Sequence, residues 1–315
     1  MNPKPLTDEF LVSIVVVSWN TRELLRGCLA STLAACQHLD GPVEIIVVDN
    51  ASSDGSSAMV EQEFGQVQII ANTSNPGFAA ATNQGIRESH GRYVLLLNPD
   101  TKAAHSFLSV LIAFMASHSK AAAAGPRLLG KNGENQVSCF PLPTLARELW
   151  RLFHLDRFHA LATYPLSRWR SESAQRVESV QGACMLIRRE ALAQAGLLDE
   201  RFFIYSEEID LCRRFLALGW EVYWVPRSVV VHYGGESTRQ VGTRMFLELY
   251  RSKIQYFRKH LGFWGALAYK VVLFSATLPR LLVPLLLIAL NPSRRQTLGP
   301  VLRNYSSLLF QLPAL

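Results

Sequence analysis

An α/β fold with a mostly parallel, doubly wound central sheet is predicted by three observations. Apolar runs at residues 12–17, 43–48, 67–70 and 93–97 alternate with segments of helical period up to about residue 120. The runs are continuous rather than alternating, as strands covered on both faces require. Polar residues stand where three of them end: Asn20, Asp49 and Asp100. In an open sheet of this kind such ends meet in one crevice, where ligands bind.

The first strand, residues 12–17, is β-branched and ends at Ser18-Trp19-Asn20-Thr21. Residues 22–35 carry Leu24, Leu25, Cys28, Leu29 and Leu33 at helical spacing. The second strand ends in Asp49-Asn50-Ala51-Ser52-Ser53-Asp54-Gly55, and residues 56–64 predict a helix. Residues 67–70 form a short third strand, 72–78 a polar loop, and 79–89 a helix with Asn83 and Gly85 inside it. The fourth strand stops at Asn98-Pro99-Asp100. That tripeptide has two readings: a turn, or a carboxylate with a neighbouring amide able to hold a hard divalent cation against a diphosphate.

Residues 126–143 read as irregular, with Gly130 and Gly133. Residues 144–164 read as an amphipathic helix, with Leu145, Leu149, Leu152, Phe153 and Phe158 on one side and Arg147, Glu148, Arg151 and Arg157 interleaved. Core packing and a membrane- or acceptor-facing role both fit it. Within residues 180–189, Gln181-Gly182-Ala183 precedes an apolar run, the pattern of a strand that passes close to a ligand or another backbone. Glu207, Glu208 and Asp210 then sit among large apolar residues. Glu207, Asp210 and Arg214 share helical spacing for an ion-pair set, which turns Glu208 elsewhere. Adjacent carboxylates in a half-apolar setting raise one another's pKa and suit a general base, whereas acids at a helix start also favour the dipole. A further strand, 229–231, ends at His232 before Tyr233-Gly234-Gly235-Glu236-Ser237, a placement that suits a metal ligand.

The chain has 315 residues, 49% of them hydrophobic and 18% charged, enough for a sizeable core. Its net charge of +7 is uneven: after Gln240 come ten basic residues and one acid, Glu248. A basic, Leu-rich tail favours an anionic membrane surface and speaks against a nucleic-acid partner. Residues 261–290 are long enough to span, but Pro279, Arg280 and Pro284 interrupt them. Helices lying in the interface are favoured over a clean span, and a helical cap packed on the catalytic part remains open. The five cysteines, Cys28, Cys36, Cys139, Cys184 and Cys212, form no C-x-x-C pair, so neither a zinc site nor a disulfide framework is expected and a reducing cytosol is the simplest compartment. Residues 1–10 are polar with two prolines and lack a secretory-signal pattern. The first turn, Ser18-Trp19-Asn20-Thr21-Arg22-Glu23, has no glycine, which excludes a dinucleotide fingerprint, and no P-loop is present.

Taken together, residues 12–20, 47–54, 75–78, 83–85, 95–101, 182–189, 205–214 and 232–237 resemble, in order, a family 2 glycosyltransferase with the GT-A fold, similar to bacterial envelope rhamnosyltransferases and galactofuranosyltransferases. The resemblance implies a GT-A catalytic domain at 1–240, with a nucleotide-sugar half at 1–120 and an acceptor and base half at 121–240, then a membrane-associating helical segment at 241–315. It implies that Asp49, with Asn20 and Asp54 nearby, binds the base or ribose. Asn75, Gly77 and Asn83 line the nucleotide-sugar pocket, with Asn98 and Gly182 among its contacts. Asp100 matches the family's metal-binding D-x-D position, whose first acid is Asn98 here, and His232 completes a Mg²⁺ or Mn²⁺ site. Glu208 falls where the family usually has the Asp of its base motif, with Glu207 as the alternative. The implied reaction is inverting transfer of a sugar, rhamnose as first guess, from a nucleoside-diphosphate donor to a lipid-linked or glycan acceptor. Its implied place is the cytoplasmic face of the inner or plasma membrane, peripheral or shallowly inserted. The competing classes are a nucleotidyltransferase, which needs a glycine-rich basic loop that the first turn lacks, and a non-catalytic glycan-binding or scaffolding protein.

Overall fold

A computed structural model describes residues 10–165, 172–234 and 242–315. The sequence readings at residues 1–9 and at Gly235, Glu236 and Ser237, and the proposed boundary at 240, lie outside the described residues. The chain divides into two compact units. One comprises Met1–Leu142, Pro165–Phe203 and Glu207–Ser237, and the other Pro143–Tyr164, Ile204–Ser206 and Thr238–Leu315. The helical unit therefore takes residues 143–164 in addition to the C-terminal segment.

The first unit begins with strand β1 (Phe10–Ser18), helix α1 (Arg22–Cys36), β2 (Val43–Asp49), α2 (Ser56–Glu63), β3 (Gln68–Ala71), α3 (Phe78–Glu88) and β4 (Gly91–Leu97). These follow the expected order with boundaries within two residues of those expected. β1 pairs in parallel with β2 and β4, and β2 with β3, giving the doubly wound order β3-β2-β1-β4. Val12, Ile14, Val16, Val47, Leu95 and Leu97 are among the buried residues of one core cluster, whose side chains contribute about 1.5–3 kcal/mol each. On the other face α3 lies so close to β1 that a Cβ at Gly85 would stand 2.5 Å from Val15 Cγ1. Only glycine permits that approach.

Beyond β4 the sheet becomes mixed. After β5 (Thr101–Ala103), α4 (Phe107–Ser117), β6 (Ala121–Leu129), β7 (Asn135–Gln136) and β8 (Cys139–Phe140) come β9 (Gln175–Val177), β10 (Ser179–Val180) and β11 (Cys184–Arg188). Then follow α6 (Arg189–Ala195), α7 (Glu207–Ala217) and β12 (Glu221–His232), with α5 in the other unit. The order continues β4-β11-β6-β12-β5, with β11 antiparallel to both neighbours. Two expectations fail here. Residues 126–129 are strand, not irregular chain, because β12 skips register between Val225 and Val229 and so accommodates Pro126, which cannot donate to a ladder. Residues 144–164 hold the two-turn helix α5 (Leu145–Leu152), which stops short of the left-handed His154 (φ 55°), and a single 3-10 turn at Leu155–Arg157. Leu149 and Phe158 are exposed, whereas Glu148 is buried.

In the second unit, α5 is joined by the long segment α8 (Gly242–Leu290), broken at Gly262 (φ 70°), and by α9 (Arg295–Gln311). α8 is long and apolar enough to cross a membrane by length and composition. Gly265, Ala266, Tyr269, Leu273, Ala276 and Thr277 are buried, while Phe263, Trp264, Val271, Phe274, Leu282, Leu286 and Leu290 are exposed.

Candidate functional site

The loops after β1 and β2 are tied to each other. Asn20, held at φ 52°, accepts from the Ser53 amide at 2.8 Å, and its own amide donates to Ser52 Oγ at 2.8 Å. Asp49, almost fully buried, accepts from the Ser52 amide at 3.1 Å and the Ser57 hydroxyl at 2.8 Å. Asp54 accepts from the Arg22 amide at 2.8 Å and the Ser56 amide at 3.0 Å, satisfying the first amides of α1 and α2. Burial works against its ionisation, yet the Ser56 hydroxyl and those amides hold its carboxyl below the ordinary value. The rim is thus built before any ligand arrives.

A chain of amides that sequence reading missed continues the rim. Asn50 Oδ1 accepts from Asn72 Nδ2 at 3.0 Å, Asn72 Nδ2 donates to Gln84 Oε1 at 2.8 Å, and Asn50 Nδ2 faces Asn75 Oδ1 at 3.3 Å. Asn75 in turn accepts from the Gly77 amide at 3.0 Å. Gly77 adopts φ 96°, and a Cβ there would stand 2.6 Å from the Phe203 carbonyl, which accepts from the Phe78 amide. Asn83, expected to line the nucleotide-sugar pocket, is buried and bonded within the protein. Its Nδ2 donates to the Leu198 carbonyl at 2.8 Å and to Glu200 at 2.9 Å, and its Oδ1 accepts from the Leu198 amide at 3.0 Å. Those three bonds anchor residues 198–200.

Asp100 and His232 meet because β5 turns back along the end of β12. Thr101 pairs with His232, and the Tyr233 amide donates to the Asp100 carbonyl at 2.9 Å. His232 Nε2 lies 3.4 Å from Asp100 Oδ1, with both side chains buried. A carboxylate oxygen and an imidazole nitrogen at this spacing suit adjacent ligands of one Mg²⁺ or Mn²⁺, for which metal–ligand distances near 2.1 Å put neighbours about 3 Å apart. Among the described residues there is no group of three or more His, Cys, Asp or Glu that could hold a metal by itself. The pair therefore fits a cation whose remaining ligands come from substrate and water, as is usual for Mg²⁺ bound with phosphates.

Gly182 and Ala183 link this edge to the acidic helix start. The Asn98 amide donates to the Ala183 carbonyl at 2.9 Å. The backbone amide of Gly182 and those of Glu208 and Ile209 at the start of α7 face the Glu208 carboxyl and favour its charged form. Glu208 Oε2 and Glu207 Oε2 are buried without a hydrogen-bond partner, as is Gln181 Oε1, next to Gly182 in sequence. Burial pushes both carboxyls up, and the neighbouring Glu208 charge drives Glu207 further. Of the expected ion-pair set only Asp210–Arg214 forms, at 2.9 Å, and Arg214 continues to the carbonyls of Gly196 and Leu197 beyond the end of α6. Glu207 stands outside it, because its place at the helix start gives it its own backbone amide instead.

The sequence pattern of Glycosyl transferase family 2 matches residues 13–194. An N-acetylglucosaminyl-diphospho-decaprenol L-rhamnosyltransferase of Mycobacterium tuberculosis is 27% identical over 278 residues, covering 81% of this chain and 87% of that protein. The rhamnosyltransferase WbbL of Escherichia coli is 23% identical over 265 residues, covering 78% and 92%. Among solved structures, the mannosyltransferase PcManGT of Pyrobaculum calidifontis, in complex with GDP-Man and Mn²⁺, superposes with a TM-score of 0.57 at 17% identity, covering 98% of this chain and 90% of its own. GalNAc-T7 with UDP, GalNAc and Mn²⁺ gives 0.54 at 18% identity, covering 71% and 43%. At these identities the superpositions establish the GT-A fold.

Proposed function

The chain belongs to glycosyl transferase family 2, and from that premise we propose that it moves rhamnose, with inversion, from a nucleoside-diphosphate donor to a hydroxyl of a lipid-linked acceptor in envelope glycan synthesis. The observation that carries this reading is one short bridge with chemistry at both ends. Asn98 beside Asp100 hangs on Ala183, and Glu208 lies against Gly182.

The donor's nucleoside would sit against the preformed rim of Asn20, Asp49 and Asp54, with Asn75 and Gly77 beside it. Asp100 and His232 would hold the divalent cation, Mg²⁺ or Mn²⁺, which when bound offsets the negative charge that grows on the departing diphosphate. Glu208, with one buried oxygen lacking a hydrogen-bond partner, would accept the proton of the attacking hydroxyl. Attack from the side opposite the leaving group gives single displacement and inversion.

The exposed apolar residues of α8, among them Phe263, Trp264, Val271, Phe274 and Leu282, support membrane association, and the basic residues of the tail favour an anionic surface. Peripheral or shallow residence on the cytoplasmic face of the inner or plasma membrane would bring the chain to a lipid-linked acceptor. The test of function is thermal stability of the detergent-purified chain against thymidine, uridine and guanosine diphosphates, with and without Mn²⁺. Ligand at 100 times Kd adds about 2.7 kcal/mol. The expected result is a metal-dependent rise with thymidine diphosphate that Asp100→Ala abolishes. No rise with any nucleotide would overturn the reading.

A further inference from the structure

His232 has two ring nitrogens, and the partner on the far side of the ring decides what the near side can do. Gln136, on β7, donates from Nε2 to the His232 backbone carbonyl at 2.7 Å. A carbonyl can only accept, so this bond fixes which end of the amide is nitrogen. The other end, Gln136 Oε1, lies 3.0 Å from His232 Nδ1. An amide oxygen can also only accept, so Nδ1 must carry the hydrogen. In the neutral ring Nε2 is then left with its lone pair, aimed at Asp100 Oδ1 3.4 Å away. A divalent cation between these two acceptors would take both as adjacent ligands.

We propose that Gln136 is a positioning residue that locks His232 into its Nδ1–H tautomer and so presents Nε2 as a ready metal ligand beside Asp100. This deepens the metal reading of the proposed function and rests on it. Nothing in the local sequence announces the role. Gln136 reaches His232 because β7 folds back on β6, with Gln136 opposite Leu128, while β12 runs along the other side of β6 with Val230 opposite that same Leu128. Metal-bound histidines commonly give their second nitrogen to such an outer partner, and its loss costs about 10–100-fold in metal affinity.

The experiment uses the full chain in detergent, with two readouts. Mn²⁺ binding is followed by the loss of the free-ion electron paramagnetic resonance signal, and the His232 tautomer by ¹⁵N resonance of ring-labelled protein without metal. The variants are Gln136→Leu, which removes both bonds at similar size, Gln136→Glu, which keeps an acceptor opposite Nδ1, and His232→Ala. The expected result is Nδ1–H in the parent chain, a tautomer mixture and about 10–100-fold weaker Mn²⁺ binding in Gln136→Leu, and recovery to within about threefold in Gln136→Glu. A Gln136→Leu protein with unchanged tautomer and unchanged Mn²⁺ affinity, beside a His232→Ala protein that binds no Mn²⁺, would overturn the role of Gln136 while leaving the metal site. A parent chain that binds no Mn²⁺ although its ring is Nδ1–H would overturn the metal reading itself, and the proposal with it.

Discussion

Each unit of this protein buries a glutamate, and the two treat it in opposite ways. In the helical unit Glu148 accepts from Lys253 Nζ at 2.8 Å with both oxygens and also pairs with Arg151. Burial opposes its charge, yet Lys253 and Arg151 hold its carboxyl below the ordinary value, while the Lys253 ammonium falls to about 8. In the other unit, among the described residues, Glu207 and Glu208 pair with no cation, each keeps an oxygen without a partner, and both carboxyls are pushed up. A buried acid with its countercharge in place is architecture, because removing one member leaves the other stranded. A buried acid without one is tolerated only where its reactivity is used.

The largest expected effect breaks the comparison at its reactive end. Glu208→Gln keeps the shape and the acceptor for the Gly182 amide but removes the base. Transfer should fall by about 10²–10⁴-fold. Stability at neutral pH should rise, because a buried charge without a partner disappears. If the melting temperature falls instead, Glu208 is a structural acid like Glu148 and the base must be sought elsewhere.

Glu148→Gln should do the reverse. It leaves Lys253 buried without its charge, at a cost of about 3–5 kcal/mol read from denaturant unfolding. Replacing the pair together, Glu148→Leu with Lys253→Met, should recover most of that loss. A double variant no better than the single would mean that the pair is held for something other than compensation.

The contrast was only half legible in the sequence. Residues 10–97 could be read almost element by element, because doubly covered strands are continuous apolar runs and their polar ends fall where the chain turns. Asp100 and His232 stood out for the same reason, and Glu208 as one of three acids set among large apolar residues. Glu148 did not. It looked like one of several charges on the polar side of an amphipathic helix, and its partner lies 105 residues away. Gln136 and Asn83 were opaque in the same way. Asn83 was read as lining a pocket, but its partners at 198–200 are set by tertiary packing, and no local pattern encodes them. Pro126 pointed away from a strand, and only the register skip in β12 makes room for it.

The two centres should also respond to pH with opposite sign. Glu148 has a depressed carboxyl, so its stabilisation is present above the ordinary Glu value of 4.5 and is lost as pH falls below it. Glu207 and Glu208 have raised carboxyls. The folded chain then binds more protons than the unfolded chain above 4.5, and stability falls as pH climbs from there through their raised values. Glu207→Gln should flatten part of that decline and leave the acid-side loss untouched. In activity, the acid limb of kcat/KM should sit above 4.5, because Glu208 must lose its proton to act. An acid limb at or below 4.5 would assign the base to a group without a raised pKa.

The smallest effect probes the bridge itself. A Cβ at Gly182 would meet Glu208 Cβ and Cγ at 3.6 Å and Cδ at 3.9 Å, which is ordinary contact. Gly182→Ala should therefore fold with a melting temperature within a few degrees of the parent, and its amide still faces Glu208. What the new methyl group takes is space on the approach to that carboxylate. If the sugar passes there, kcat/KM should drop by about tenfold, a loss of about 1.4 kcal/mol in transition-state stabilisation. Unchanged kinetics would mean that Gly182 serves Glu208 only through its amide, and that donor and acceptor meet on another side of the base.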